Sequence, residues 1–98
     1  MNEYMVTITF SDEIGDDFIS LIPQQRAQVN ELMGKGILTS YSLSINRQTL
    51  WMTMMGASEE RIVETLRQMP LYRFMQFEIR ELMFHNAPVF AQPRFSLN

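Results

Sequence analysis

An α+β fold is predicted by three features of this sequence. Apolar and polar residues alternate over residues 3–10, as they do in a half-buried strand. Two longer segments have apolar residues at helical spacing, and each of them ends at glycine or proline. Shorter alternating segments follow each helical segment. The resulting order of strand, helix, strand, strand, helix and strand is the ferredoxin-like βαββαβ arrangement with an antiparallel sheet.

The composition is that of an ordinary globular protein, and it excludes several kinds of site. The 98 residues are enough for one domain, and 46% of them are hydrophobic and 19% charged. The formal charge is -3 and the eight basic residues are scattered, so we expect neither nucleic acid nor a membrane as a partner. The chain has no cysteine, which excludes disulfides, thiolate nucleophiles and cysteine metal sites.

Targeting signals and cofactor motifs are not recognisable in the sequence. The first residues include neither a basic region nor an apolar run long enough for a signal peptide. No segment is long and apolar enough to span a bilayer, so we expect a cytoplasmic protein. There is no glycine-rich phosphate loop, serine nucleophile elbow or metal motif, and we expect neither a cofactor nor a metal.

The first strand and the first helix are predicted within residues 3–33. The residues expected on the buried face of the strand are Tyr4, Val6, Ile8 and Phe10. The apolar stripe expected along the helix is Phe18, Leu21, Ile22, Val29, Leu32 and Met33. Pro23 lacks a backbone donor, so it either kinks the helix or starts its main part. Gly34 and Gly36 would end the helix.

Two strands joined by a hairpin are predicted for the middle of the chain. They cover residues 37–45 and 49–55, with residues 46–48 as the connection. One side of the first of them is expected to carry Ile37, Tyr41, Leu43 and Ile45. Its other side is expected to carry Leu38, Ser40, Ser42 and Ser44.

A second helix and a last strand complete the predicted fold. Ser58 is expected to cap the helix, with Glu59 and Glu60 in its first turn, and Pro70 to end it. The residues expected to be buried on it are Ile62, Val63, Leu66 and Met69. In the last strand, the apolar residues Met75, Phe77 and Ile79 alternate with Gln76, Glu78 and Arg80.

One face of the predicted sheet has no cover, because both helices of this arrangement pack on the other face. The residues from which this uncovered face would be formed are Thr7, Thr9, Ser40, Ser42, Trp51, Thr53, Met55, Gln76, Glu78 and Arg80. A tryptophan and a methionine on a bare sheet surface indicate an interaction patch. We therefore expect a homodimer in which two sheets face each other and enclose a cavity.

The chain divides into a ferredoxin-like domain over residues 1–86 and a C-terminal tail over residues 87–98. The tail is apolar but has neither a helical nor a strand period. We expect it to pack on a neighbouring subunit, with a disordered tail as the alternative.

The end of the second helix and the last strand contain a distinctive set of residues, which are Met69, Pro70, Leu71, Tyr72, Phe74, Met75, Glu78, Ile79, Leu82 and His85. This set resembles the same part of the muconolactone isomerase family. The family has a leucine-proline-leucine-aromatic-proline-aromatic-methionine run there, then a strand and a histidine-proline pair. A weaker resemblance extends back over the first helix and covers most of the chain. It implies a dimeric α+β barrel whose dimers assemble into a decameric ring.

The resemblance does not extend to the residues that the family uses for catalysis. The family's glutamate-lysine pair for proton transfer falls on Gln25 and Arg26. Glutamine cannot act as a general base, and arginine stays protonated, although it can bind a carboxylate. The family's tryptophan-arginine pair is also missing, with Tyr41 and Ser42 near those positions. These differences argue against muconolactone isomerisation but not against a shared pocket.

Two residues are candidates for catalysis. Glu78 would point into the barrel, where burial could raise its pKa and make it a general base, whereas pairing with Arg80 would keep it ionised. His85 is the one histidine and could act as acid or base, or it could be a hydrogen-bonded structural residue at a subunit contact.

The remaining candidates would bind a ligand. Arg26 and Arg80 could hold an anion, although a surface ion pair is the alternative for Arg26. Tyr41 and Trp51 could stack on a flat ligand or simply belong to the core. Two functions remain: an isomerase-like enzyme that transfers a proton on a small carboxylated or lactone metabolite, or a non-catalytic oligomeric domain that binds a small molecule. The resemblance favours the first function, and the missing glutamate-lysine pair favours the second.

Overall fold

The computed structural model describes residues 1–11 and 14–86. Its elements are β1 (Asn2–Phe10), α1 (Asp16–Gly34), β2 (Leu38–Leu43), β3 (Thr49–Gly56), α2 (Glu59–Arg67), a short 3-10 helix (Tyr72–Phe74) and β4 (Met75–Glu81). The predicted order of strands and helices is confirmed. The prediction that residues 87–98 pack on a neighbouring subunit lies outside the described residues.

The four strands form one antiparallel sheet in the order β2-β3-β1-β4. The side chains of Tyr4, Val6 and Ile8 are buried on one face of the central strand β1, against residues of both helices. We call this side the helix face of the sheet and the opposite side the open face. The fold is therefore the predicted ferredoxin-like α+β arrangement. No helix within residues 1–11 and 14–86 is long and apolar enough to cross a membrane.

The predicted alternation along β2 is wrong at Leu38. This residue pairs with Met54 and is only 2% exposed, so its side chain joins the core on the helix face. The cause is an irregularity between Leu38 and Ser40 that shifts the register of β2 by one residue. Tyr41 and Leu43 lie on the helix face, as the alternation predicts, because they pair with Met52 and Leu50. Ile45 lies beyond β2 and is fully exposed.

Helix α1 runs without interruption through Pro23. Its buried residues are Phe18, Gln25, Val29 and Leu32, and Leu21 and Ile22 are partly buried. Met33 was predicted to be buried but is exposed. The polar Gln25 is instead only 3% exposed, because the spacing of seven residues from Phe18 puts it on the same helical stripe.

The start of α2 is as predicted, and its end comes earlier than expected. The hydroxyl of Ser58 accepts a hydrogen bond from the backbone N–H of Arg61 at 3.3 Å, which is the predicted N-cap. The helix ends at Arg67, three residues before Pro70. Turns and the 3-10 helix then carry the chain into β4, whose inward residues Phe77 and Ile79 pack against the core.

Candidate functional site

A cavity of about 600 Å³ lies between α1 and the helix face of the sheet, next to the edge strand β2. We call it the α1 cavity. Its lining residues are Phe10, Ile14, Phe18, Ile19, Ile22, Gln25, Arg26, Tyr41, Leu43, Arg47, Leu50 and Leu71. Four of these are polar and eight are apolar. A mostly apolar pocket with a few polar groups is the usual form of a small-molecule site.

The fold brings three of the sequence-predicted ligand residues together in this cavity. Gln25 and Arg26 are neighbours on α1, and Tyr41 reaches the cavity because it lies on the helix face of β2. A smaller groove beside the cavity is also lined by Arg26 and Tyr41, together with Val29, Asn30 and Met33 of α1. Arg26 and Tyr41 therefore stand at one end of the α1 cavity, where it adjoins this groove.

Gln25 is held in place by the segment that precedes β4. Its Oε1 accepts a hydrogen bond from the backbone N–H of Leu71 at 3.1 Å. Its Nε2 donates to the sulfur of Met69 at 3.5 Å. The backbone N–H of Leu71 can only donate, so the Gln25 atom that it contacts is the oxygen. The amide nitrogen Nε2 therefore points away from Leu71. Gln25 thus has a structural role in addition to lining the cavity.

Tyr41 has a hydroxyl that stays protonated at neutral pH. Partial burial raises the pKa of the Tyr41 phenol above its ordinary value of 10.0, while hydrogen bonding by Gln25 and the positive charge of Arg26 oppose the rise. Because burial is the largest of these effects, the phenol can donate a hydrogen bond to a ligand but is a poor base.

Arg47 lines the other end of the cavity and was not among the sequence candidates. It sits in the β2–β3 connection with a left-handed backbone (φ 64°). The turn is fixed by Asn46, whose Oδ1 accepts hydrogen bonds from the backbone N–H of Gln48 and from the hydroxyl of Ser44. The sequence predicts that Arg47 lies in a hairpin. No pattern in the sequence indicates on which face of the sheet its side chain lies.

Three other predicted residues lie on the open face, away from the α1 cavity. Trp51 and Glu78 both pair with Thr7, so they stand in one row across the sheet, about 10 Å apart. Trp51 is 41% exposed. Arg80 lies on the same face, and its Nη2 is 3.4 Å from Oε2 of Glu78. Within residues 1–11 and 14–86 no helix covers this face, and Glu78 has the ion pair with Arg80 that was the alternative to a role as base.

His85 is exposed beyond the end of β4 and lines neither cavity. The candidate residues therefore fall into three places: the α1 cavity, the open face and the segment after β4. The structure does not bring Glu78 or His85 to the cavity that contains Arg26 and Tyr41. Of the described residues, no group of three or more histidine, aspartate or glutamate side chains is placed to hold a metal ion.

Three of the four polar residues of the α1 cavity, Arg26, Tyr41 and Arg47, supply hydrogen-bond donors to it. Arginine only donates, and the Tyr41 hydroxyl has a proton to donate. Among the lining residues that the structure describes, none is a carboxylate, a histidine or a lysine. This part of the chain can therefore bind an anionic group, but it supplies no ordinary base for removing a proton from a ligand.

Comparison with known proteins agrees with the fold. A crystal structure of muconolactone isomerase at 3.3 Å resolution is similar to this chain, with a TM-score of 0.69 and 18% sequence identity. The similarity covers 91% of this chain and 96% of that one. No family model matches the sequence, and no curated protein matches it. The four-stranded antiparallel sheet with two helices is thus the muconolactone isomerase fold, and at this identity the similarity extends to the fold alone.

Proposed function

We propose that this chain is a muconolactone isomerase-like protein that binds a small carboxylated or lactone metabolite in the α1 cavity. The observation that carries the proposal is that Arg26, Tyr41 and Arg47 supply hydrogen-bond donors to a mostly apolar cavity. A carboxylate accepts hydrogen bonds and carries negative charge, so it matches both properties of these groups. The apolar residues would bury the body of the ligand.

Binding is better supported than turnover. Proton transfer on carbon needs a base within hydrogen-bond reach of the ligand. The described lining residues offer only Tyr41 as a group that could exchange a proton, and burial raises its pKa above 10.0. We therefore propose non-catalytic ligand binding first, and proton transfer by Glu78 or His85 as the second candidate.

Binding is tested by calorimetric titration with hexanoate and with hexanol, which has the same number of carbons but no charge. The wild-type protein is expected to bind hexanoate and to bind hexanol more weakly. Arg26→Gln is expected to weaken hexanoate binding by about 10- to 100-fold, since a hydrogen bond to a charged group contributes about 1.5–3 kcal/mol. Arg67→Gln on α2, outside the cavity, is the matched control and should bind like the wild type. Equal affinities of Arg26→Gln and Arg67→Gln would show that the anion binds elsewhere.

Proton transfer is tested separately with lactone and enol substrates, muconolactone included. Glu78→Gln and His85→Ala remove the two candidate bases. If the wild-type protein turns over a substrate and either change abolishes turnover, that residue is the base. If both variants keep the full rate on every substrate, neither residue transfers the proton and this second candidate is wrong.

We also propose that the protein forms a homodimer through the open face. Trp51 is 41% exposed there, and Met5 and Met55 on the same face are only partly buried. Covering these apolar side chains would be favourable. Light scattering should give a dimer for the wild type and a monomer for Trp51→Glu. Ile45→Glu, in the exposed hairpin outside the open face, should remain dimeric. A monomeric wild-type protein would contradict the proposal.

A further inference from the structure

We propose that the natural ligand is a long acid with one carboxylate, whose head lies between Arg26 and Tyr41 and whose apolar chain lies along α1 toward Ile19 and Leu43. This inference rests on the proposed function and adds the size, the single charge and the orientation of the ligand. It differs from a small lactone, which would need only the end of the cavity.

The volume of the cavity admits a long ligand. One liquid water occupies about 30 Å³, so a cavity of about 600 Å³ has room for about twenty such volumes. It falls in the range of about 300–1,000 Å³ that holds drug-sized ligands. A ten-carbon acid has about twelve non-hydrogen atoms and a six-carbon lactone acid about ten, so the volume admits a ten-carbon acid and the length of the cavity decides between the two.

The arrangement of the lining residues makes the cavity elongated. The Phe10 backbone N–H donates to the carbonyl of Gln48 at 3.1 Å, which places the end of β1 against the hairpin that carries Arg47. The ring of Phe18 lies 5.3 Å from that of Phe10, so the first part of α1 is at this same end. Arg26 is eight residues further along the helix, which corresponds to about 12 Å.

A distance of about 12 Å sets the expected length of the chain. An extended polypeptide spans about 3.5 Å for the three bonds of one residue, or about 1.2 Å for each bond. The space between Phe18 and Arg26 therefore corresponds to about ten bonds. Fatty acids of about ten carbons would fill it, and longer ones would extend past the hairpin into solvent.

The carboxylate head is expected at the Arg26 end of the cavity because Arg26 and Tyr41 both supply hydrogen-bond donors there. Tyr41 and Arg26 line both the α1 cavity and the groove beside it, so the phenol proton and the guanidinium can reach one carboxylate. Arg26 adds the positive charge. Arg26 and Arg47 are both exposed, so water weakens the attraction of either one for an anion, and the second donor, Tyr41, distinguishes the Arg26 end.

The inference is tested by titrating the full chain with straight-chain acids from butanoate to hexadecanoate, with the matching alcohols as neutral probes. Each added methylene that becomes buried should lower Kd by about fourfold. We expect Kd to fall in this way up to about ten carbons and then to level off. The alcohols should bind more weakly than the acids of equal length.

Three variants locate the two ends of the ligand. Tyr41→Phe should weaken every acid by a similar factor of about five- to tenfold, because it removes one donor to the head. Ile19→Asp should weaken decanoate by tenfold or more and leave hexanoate unchanged, because Ile19 is exposed at the tail end of the cavity. The third variant, Arg67→Gln on α2 outside the cavity, is the control and should leave all acids within twofold.

The outcomes separate this inference from the proposed function. If butanoate and hexanoate bind as tightly as decanoate, and Arg26→Gln weakens all of them, the carboxylate site stands and the long-chain inference is wrong. If decanedioate binds tighter than decanoate and Arg47→Asn removes that gain, the ligand has two charged ends and the single-head inference is wrong. If no acid binds, or Arg26→Gln changes nothing, the proposed function fails.

Discussion

The side-chain oxygen of Gln25 and the backbone N–H of Leu71 form a buried hydrogen bond of 3.1 Å between α1 and the segment before β4. The two residues are 46 positions apart in the chain. The bond fixes the polar residue that lies in the middle of the buried stripe of α1, and it places Leu71 at the cavity wall. It therefore connects the last part of the fold to the candidate site.

Removing this hydrogen bond should destabilise the fold. Gln25→Leu keeps a similar volume but leaves the buried N–H of Leu71 without a partner, which costs about 1–3 kcal/mol. Urea unfolding should show this loss in the free energy of unfolding. Gln24→Leu, on the exposed side of the same turn, is the control and is expected within about 0.5 kcal/mol of the wild type. Equal stability of the two variants would mean that the bond contributes nothing.

Stability should fall at high pH because of Tyr41. Partial burial raises the pKa of its phenol above the ordinary 10.0 that applies in the unfolded chain. Above pH 10 the unfolded state therefore releases this proton before the folded state does, and the free energy of unfolding decreases until the pH passes the folded pKa. Below pH 10 this contribution is complete.

The variant Tyr41→Phe has no phenol proton at this position and isolates its effect. Unfolding free energies measured from pH 8 to 11.5 should decline less steeply above pH 10 in Tyr41→Phe than in the wild type. The two curves should run parallel below pH 10. Parallel curves over the whole range would contradict the raised pKa.

A chain of hydroxyls on the open face should stabilise the register of β2. The Oγ1 of Thr53 is 2.6 Å from both the Oγ1 of Thr39 and the Oγ of Ser40, and Thr39 donates to Oε2 of Glu3 at 2.8 Å. Thr53 is only 1% exposed although it lies on the open face. The register shift in β2 brings both neighbouring hydroxyls to it.

Thr53→Val replaces the central hydroxyl by a methyl group of similar size. The expected loss in the free energy of unfolding is about 1–2 kcal/mol, because the hydrogen bonds on both sides of Thr53 disappear. Thr53→Ser, which keeps the hydroxyl, should lose less. Thr9→Val is the control, since Thr9 is exposed on the same face. If Thr53→Val is as stable as Thr9→Val, the hydroxyl chain is not stabilising.

The close approach of Gly56 to Ile62 joins β3 to α2. A Cβ added at Gly56 would be 2.9 Å from Cδ1 of Ile62, which is fully buried. Gly56→Ala should therefore destabilise the fold by about 1–3 kcal/mol through overpacking. Gly34→Ala meets no atom within 4 Å and should be neutral or stabilising.

A double-mutant cycle tests the cause of that destabilisation. Ile62→Val removes the Cδ1 atom that the new methyl would meet. In thermal or urea unfolding, Gly56→Ala should cost less in the Ile62→Val background than in the wild type. Purely additive effects would show that this contact is not the cause.

The face on which Tyr41 lies and the type of each element follow from local sequence. Alternation at every second residue predicts which side of β1, β3 and β4 is buried. Ser58 and the glycines indicate where helices start and end. The uncovered face follows as well, since two helices cover only one side of a four-stranded sheet. Trp51, Glu78 and Arg80 were placed there correctly by the period of their strands.

Tertiary packing decided which residues come together in the core, around Thr53 and in the α1 cavity. A single register shift before Ser40 turned Leu38 inward and brought Thr39 and Ser40 together around Thr53. Gln25 lies on the buried stripe of α1 by its spacing from Phe18, and Leu71, 46 residues away, supplies the hydrogen bond that its buried amide needs. Arg47 became a lining residue through the path of the hairpin.

Hydrophobic period and chain-breaking residues act locally, and they predicted the α+β fold and an open face that carries Trp51, Glu78 and Arg80. The family resemblance pointed to Gln25 and Arg26. That Arg26 and Tyr41 share a cavity, apart from the residues of the open face, followed from packing, because a sheet separates its two faces completely. Residues whose side chains suit the same ligand can form one site only when the pleat and the register of their strands place them on the same side of the sheet.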